Sequence, residues 1–322
     1  MGSVGQGSSF KDATTVHALS SHTYEGHFSD DWCIGSVPHG GYVTGTFLRV
    51  VEMHFSTTLA SQKQPHTIAL HLDFLRRTQT GPALFSVQDT KLGRQASIIH
   101  ITLSQSGRNE VVGYFTNSNM DTETGVSFTT SYRLQPAPEP VGLNLLSQDK
   151  DKNWACQTSM PFASFRKATS KTQFFFPRSG QRTKSSADEW IRLRSGEKWT
   201  NASLGYVCDM WPMPIEAFIR GENPYDGKNT LIGPDRKEKP TIRRMWYPTM
   251  LLNVDFKKTL PEEGVEWLFV RVEAKQIKNG RMDLEVIIMD TEGDIVALSH
   301  HVALAVGSER NLAERRTGSS KI

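Results

Sequence analysis

Two stretches of the chain carry the alternation of a half-buried β-strand, and they carry it alike. In residues 66–75, Ile68, Leu70, Leu72 and Phe74 fall on one face, with His71 and Asp73 on the other. Residues 249–257 read as a second such strand, ending in Asn253-Val254-Asp255-Phe256. Before the first strand, Val43, Phe47, Val50, Val51, His54 and Phe55 recur at helical spacing, directly after His39-Gly40-Gly41-Tyr42. After it the pattern predicts strands at 84–90, 96–104 and 111–117, with a turn at 106–109 joining the last two. The second long strand is preceded by a helix at 202–211 that Pro212 and Pro214 end. It is followed by strands at 267–276, 282–289 and 295–305.

The order of elements therefore occurs twice, and short anchors recur with it. Asp73 corresponds to Asp255 (255 − 73 = 182), Gly-Arg94 to Gly-Arg281 (281 − 94 = 187) and Gly107 to Gly293 (293 − 107 = 186). Two copies are too few for a solenoid, so the pattern predicts a pseudo-dimer with a cleft between its halves. The expected boundaries are a flexible start at 1–22, one unit at 23–120, a linker with irregular decoration at 121–199, the second unit at 200–306 and a frayed tail at 307–322. Pro136, Pro138 and Pro140 break the middle segment, and its later part is polar and basic, with a helix expected at 188–193. A polar insertion at 221–244 holds a basic run, Arg236, Lys237, Lys239, Arg243 and Arg244, which reads as a solvated loop or as a grip for phosphate groups.

Composition narrows the class. The 322 residues give room for two domains, and 37% hydrophobic with 22% charged residues is globular. No apolar run reaches the roughly 20 residues of a spanning helix. A net charge of +3 gives no basis for nucleic-acid binding. Three scattered cysteines, Cys33, Cys156 and Cys208, favour free thiols in a reducing compartment. The ten histidines show no metal-ligand spacing, so neither metal nor cofactor is expected.

A helix followed by an antiparallel meander, repeated, is the order of a double hotdog fold. Pro38-His39-Gly40-Gly41-Tyr42, the Asp-bearing strand in each half, and Glu292-Gly293-Asp-Ile-Val-Ala297 resemble the acyl-CoA thioesterase II-like proteins of the thioesterase-like superfamily. The resemblance covers about residues 25–118 and 200–305. It implies an α+β double hotdog of two tandem helix-plus-sheet units, acyl-CoA or a related acyl thioester as substrate, and a homo-oligomer. Proteins of this family hold the hydrolytic water with an Asp, a Thr or Ser, and a Gln. Matched here, the Asp is Asp255, the hydroxyl position falls near Lys275 or Gln276, and the Gln position falls at His301 or His300. One of the three residue types is kept.

Thioester hydrolysis needs a base or nucleophile, and donors aimed at the developing oxyanion. Asp255 is the first candidate for the base. Asp209, on the second helix, is an independent candidate, because it resembles the helix acid of single-domain hotdog thioesterases of the phenylacetate type; the first helix has Leu48 at that place. His301 and His39 are candidate proton carriers. Gly40 and Gly41, with His39 and Tyr42, mark a helix entrance whose N–H groups suit an oxyanion. Two rival readings stay open: a dehydratase, isomerase or cyclase acting on a polyketide-like substrate, and a non-catalytic acyl- or lipid-binding protein. The last residues, Ser320-Lys321-Ile322, differ by one conservative change from a peroxisomal address, so the expected location is cytoplasmic or peroxisomal.

Overall fold

The computed structural model describes residues 7–158, 160–210, 212–220, 223–227 and 244–313. The basic run at Arg236–Arg243 and the tripeptide Ser320-Lys321-Ile322 lie outside the described residues. Among the described residues, a 14-stranded antiparallel sheet runs through the molecule, thirteen strands in one order and Ile277–Lys278 paired as a short branch on Arg281–Met289. One half is ordered Val16–Ala18, Thr23–Phe28, Gly81–Lys91, Ser97–Gln105, Arg108–Ser118, His66–Phe74. The other continues as Thr249–Phe256, Ile295–Leu304, Arg281–Met289, Leu268–Glu273, Ser186–Leu193, Thr172–Pro177, Trp154–Cys156.

The two long strands with matching alternation are the seam. His66–Phe74 pairs antiparallel with Thr249–Phe256, from Asp73 opposite Leu251 to Ala69 opposite Asp255. Leu70, Leu72, Leu252 and Val254 are buried on the inner face, while His71, Asp73, Asn253 and Asp255 share the outer one. There His71 meets Asn253 Oδ1 at 2.7 Å and Asp73 Oδ2 at 3.2 Å.

Each half wraps a helix. The first, Gly40–Ser56, is largely apolar and mostly buried, as suits a helix enclosed by sheet. His39 caps it, Nδ1 accepting the Gly41 N–H at 3.0 Å. The second is a single turn, Leu204–Val207, which stops short of Pro212, and a further helix, Ile215–Ile219, starts directly after Pro214. The expected helix at 202–211 is thus shortened. The helices cross closely, since a Cβ on Gly41 would lie 2.7 Å from the Tyr206 carbonyl oxygen.

Three segments differ from the sequence reading. The start is ordered: Ser9 caps the helix Phe10–Ala13, and Phe10 packs edge-on against Trp32 at 5.2 Å. The stretch expected as decoration supplies three strands of the sheet, and 188–193 lies in a strand, not a helix. At Asp188 a polar residue is buried by pairing across the sheet: Arg271 grips it through two bonds of 2.6 and 2.7 Å. In the tail, Glu309–Leu312 is helical, and Asn311 Nδ2 donates to the Ile34 carbonyl at 2.7 Å.

Candidate active site

Where the first helix begins, the chain after the second helix turns back and brings Asp209 against it. Asp209 is 4% exposed. Its Oδ1 accepts the Thr249 hydroxyl at 2.5 Å. Its Oδ2 lies 3.9 Å from His39 Nδ1, and a Cβ on Gly40 would overlap the carboxylate. Burial pushes the Asp209 pKa up to about 7, and bonds from Thr249 and the Gly41 N–H offset only part of that rise. A carboxyl group that titrates near neutrality, held by a hydroxyl, suits proton transfer at physiological pH.

The neighbouring histidines are neutral for the same reason. Burial pushes His39 down to about 4. With its Nδ1 accepting from Gly41, its proton is assigned to Nε2. His301 is fully buried on the inner face opposite Leu252 and is pushed down to about 3, first by burial and then by His300 and His39. Neither of its ring nitrogens has a hydrogen-bond partner among the described residues. Its neighbour His300 pairs with Asn253 on the outer face and is exposed.

His39, Gly40, Asp209 and Thr249 all line one cavity of about 320 Å³. Its walls are apolar, with Phe74, Met213, Trp246 and Met250, and Arg76 and Arg77 also line it. Gly40 is the first helical residue, so its N–H has no acceptor within the helix.

The remaining expected residues lie elsewhere. Asp255 is on the outer face of the sheet, half exposed and paired with Lys257. It is not part of the cavity wall, because the strand's alternation turns it away from Leu252 and Val254. Tyr42 is buried below the helix start, donating from its hydroxyl to the Ala13 carbonyl at 2.7 Å, so it anchors the N-terminal segment. Gly41 serves the helix crossing and the His39 cap, and reaches the site only through its N–H, which lowers the Asp209 pKa.

Thr249 is the site residue that the sequence reading missed. Strict alternation puts it outward with Asn253 and Asp255, but a bulge between Thr249 and Leu251 resets the register. Thr249 thereby sits opposite buried Ala303 and faces inward. A break in alternation just after Pro248 is the signal that was there to be read. Among the described residues, His22, His54 and Asp89 bring their ligand atoms within 4.8 Å of one another, away from this cavity. Burial acts to raise the Asp89 pKa, but the hydrogen bonds and electrostatic attraction of His54 and His22 together hold it below its ordinary value.

Two known family patterns match the chain, one over each half. Residues 28–118 match the acyl-CoA thioesterase N-terminal domain, and residues 135–305 match the acyl-CoA thioesterase C-terminal domain. The chain belongs to the acyl-CoA thioesterase family. The C-terminal match begins at residue 135, ahead of the helix, in keeping with the early strands of the second half. The chain is also 37% identical to the thioesterase-like protein TwmA of Talaromyces wortmannii, over 97% of this chain and 96% of that protein. Among solved structures, a hot dog protein of Alicyclobacillus acidocaldarius superposes with a TM-score of 0.66 at 15% identity, covering 92% of this chain and 97% of that one. The acyl-CoA thioesterase II TesB2 of Mycobacterium marinum gives 0.57 at 16% identity, covering 93% and 98%. The fold is a double hotdog.

Proposed function

We propose that this protein hydrolyses an acyl-CoA, with Asp209 as the base. The acyl chain enters the apolar cavity and its carbonyl carbon stops beside Asp209. Asp209 takes a proton from water while the Thr249 hydroxyl fixes the carboxylate's orientation. The hydroxide oxygen bonds to the carbonyl carbon, and the Gly40 N–H and His39 Nε2–H receive the charge that forms on the carbonyl oxygen. The C–S bond then breaks, and the thiolate leaves with the proton that Asp209 had taken. The observation that carries this reading is the convergence of a near-neutral carboxyl, its hydroxyl partner and the helix start on one cavity wall.

A second reading, proton exchange without attack by water, draws on His301, whose ring nitrogens have no partner among the described residues and which His39 influences. Incubation with acyl-CoAs of graded chain length and a thiol reagent separates the two. Hydrolysis releases one free thiol per acid formed. A product formed with no thiol released, at every chain length, overturns hydrolysis in favour of proton exchange.

A further inference from the structure

The duplication that builds the catalytic cleft builds another, where the first helix passes the start of the second. It is a cavity of about 600 Å³, within the range of small-molecule sites. Its wall repeats the first cavity part by part. Thr67 stands for Thr249, Phe256 for Phe74 and Lys258 for Arg76, each 182 positions apart (249 − 67 = 182). Asn201 stands for Gly40 and Leu48 for Asp209, each 161 apart (209 − 48 = 161). Even the bulge recurs, between Thr67 and Ala69 as between Thr249 and Leu251.

The chemistry does not recur. Leu48 offers no base, and the Thr67 hydroxyl donates to Asn117 Oδ1 at 3.0 Å. Asn201 turns its Oδ1 to the Leu260 N–H at 2.8 Å. Phe115, the counterpart of His301, is stacked on Phe47 at 5.7 Å. What survives is shape, an apolar stretch of wall and a charged rim where Lys11, Arg49 and Lys258 stand with Glu52 and Glu262. Arg49 is engaged by Glu52, and Lys258 by Asp290 and Asp294. That leaves the Lys11 ammonium, which lies in the cavity wall and has no ion-pair partner among the described residues, the contact with Glu197 being made by its backbone N–H at 2.9 Å.

Building on the function proposed above, we infer that this second cleft binds an acyl-CoA and holds it without hydrolysis. The acyl chain lies along Leu48, Phe55 and Phe256, and the phosphate-bearing end meets Lys11. The site thus gives the enzyme a non-catalytic subsite of the same ligand class, filled in addition to the one that turns over.

Titration of the full-length protein with a non-hydrolysable thioether analogue of acyl-CoA tests this. The wild type is expected to bind two equivalents per chain. Leu48→Trp, which pushes an indole into the path of the acyl chain, is expected to bind one, and that remaining equivalent shows that the chain is folded. Lys11→Glu keeps the stoichiometry but weakens one of the two equivalents by roughly tenfold, the loss of one charge-assisted contact. One equivalent in the wild type, unchanged by Leu48→Trp, overturns the inference and leaves the catalytic reading standing. No binding at all overturns both.

Discussion

The two clefts share a helix start, a bulged strand and a Phe-bearing wall, yet one holds Asp209 where the other holds Leu48. In the first, burial works against a charge and poises it near neutrality. In the second, the same burial acts on a leucine that is 6% exposed and contributes packing of about 1.5–3 kcal/mol. On the proposed mechanism, the fold supplies location and desolvation, and a single acid with its hydroxyl partner is what separates a reaction site from a pocket.

The largest way to break the comparison is to remove the acid. Asp209→Asn should lower kcat by about 10²–10⁴, the usual worth of a general base, as measured by thiol release. A rate within twofold of wild type would return the two clefts to equivalence. Next in size is the reverse change. Leu48→Asp buries a carboxyl whose counterpart hydroxyl, on Thr67, is turned to Asn117. It should cost on the order of 1–3 kcal/mol, read as a lower denaturation midpoint, without creating a second hydrolytic site.

Asp209 also makes stability depend on pH. Its pKa is raised from an ordinary 3.8 to about 7 by burial, so the folded state holds the proton more tightly than the unfolded chain. That stabilisation is complete below 3.8 and is lost as pH rises through about 7. Asp209→Asn has no proton to lose, so it should gain on wild type across that interval, by at most about 4 kcal/mol. Thermal melts at several pH values check the trend, and a difference independent of pH contradicts it. The smallest effect belongs to Asp255→Asn on the outer face, where thiol release should stay within roughly twofold, as for an exposed ion pair.

Periodicity exposed the duplication, the seam strands and the helix entrance, because long runs such as Leu70-His71-Leu72-Asp73 obey one period. It failed where local chemistry broke the period. The Thr249 bulge hid the hydroxyl partner and made Asp255 the more prominent acid. Asp188 and Arg271 neutralise each other inside the sheet, so a buried strand reads as a polar loop. Phe10 shows the opposite case, an apolar anchor among Gly and Ser that pins a segment with the composition of a flexible tail.

The account depends on Asp209 acting as a base that Thr249 keeps partly ionised. The pH dependence of kcat/KM tests this most directly. It should rise through an apparent pKa near 7 in the wild type, and Thr249→Val, which removes a bond to the charged form, should move that inflection upward. A profile with no inflection between pH 5 and 9, or one that Thr249→Val leaves in place, would contradict it.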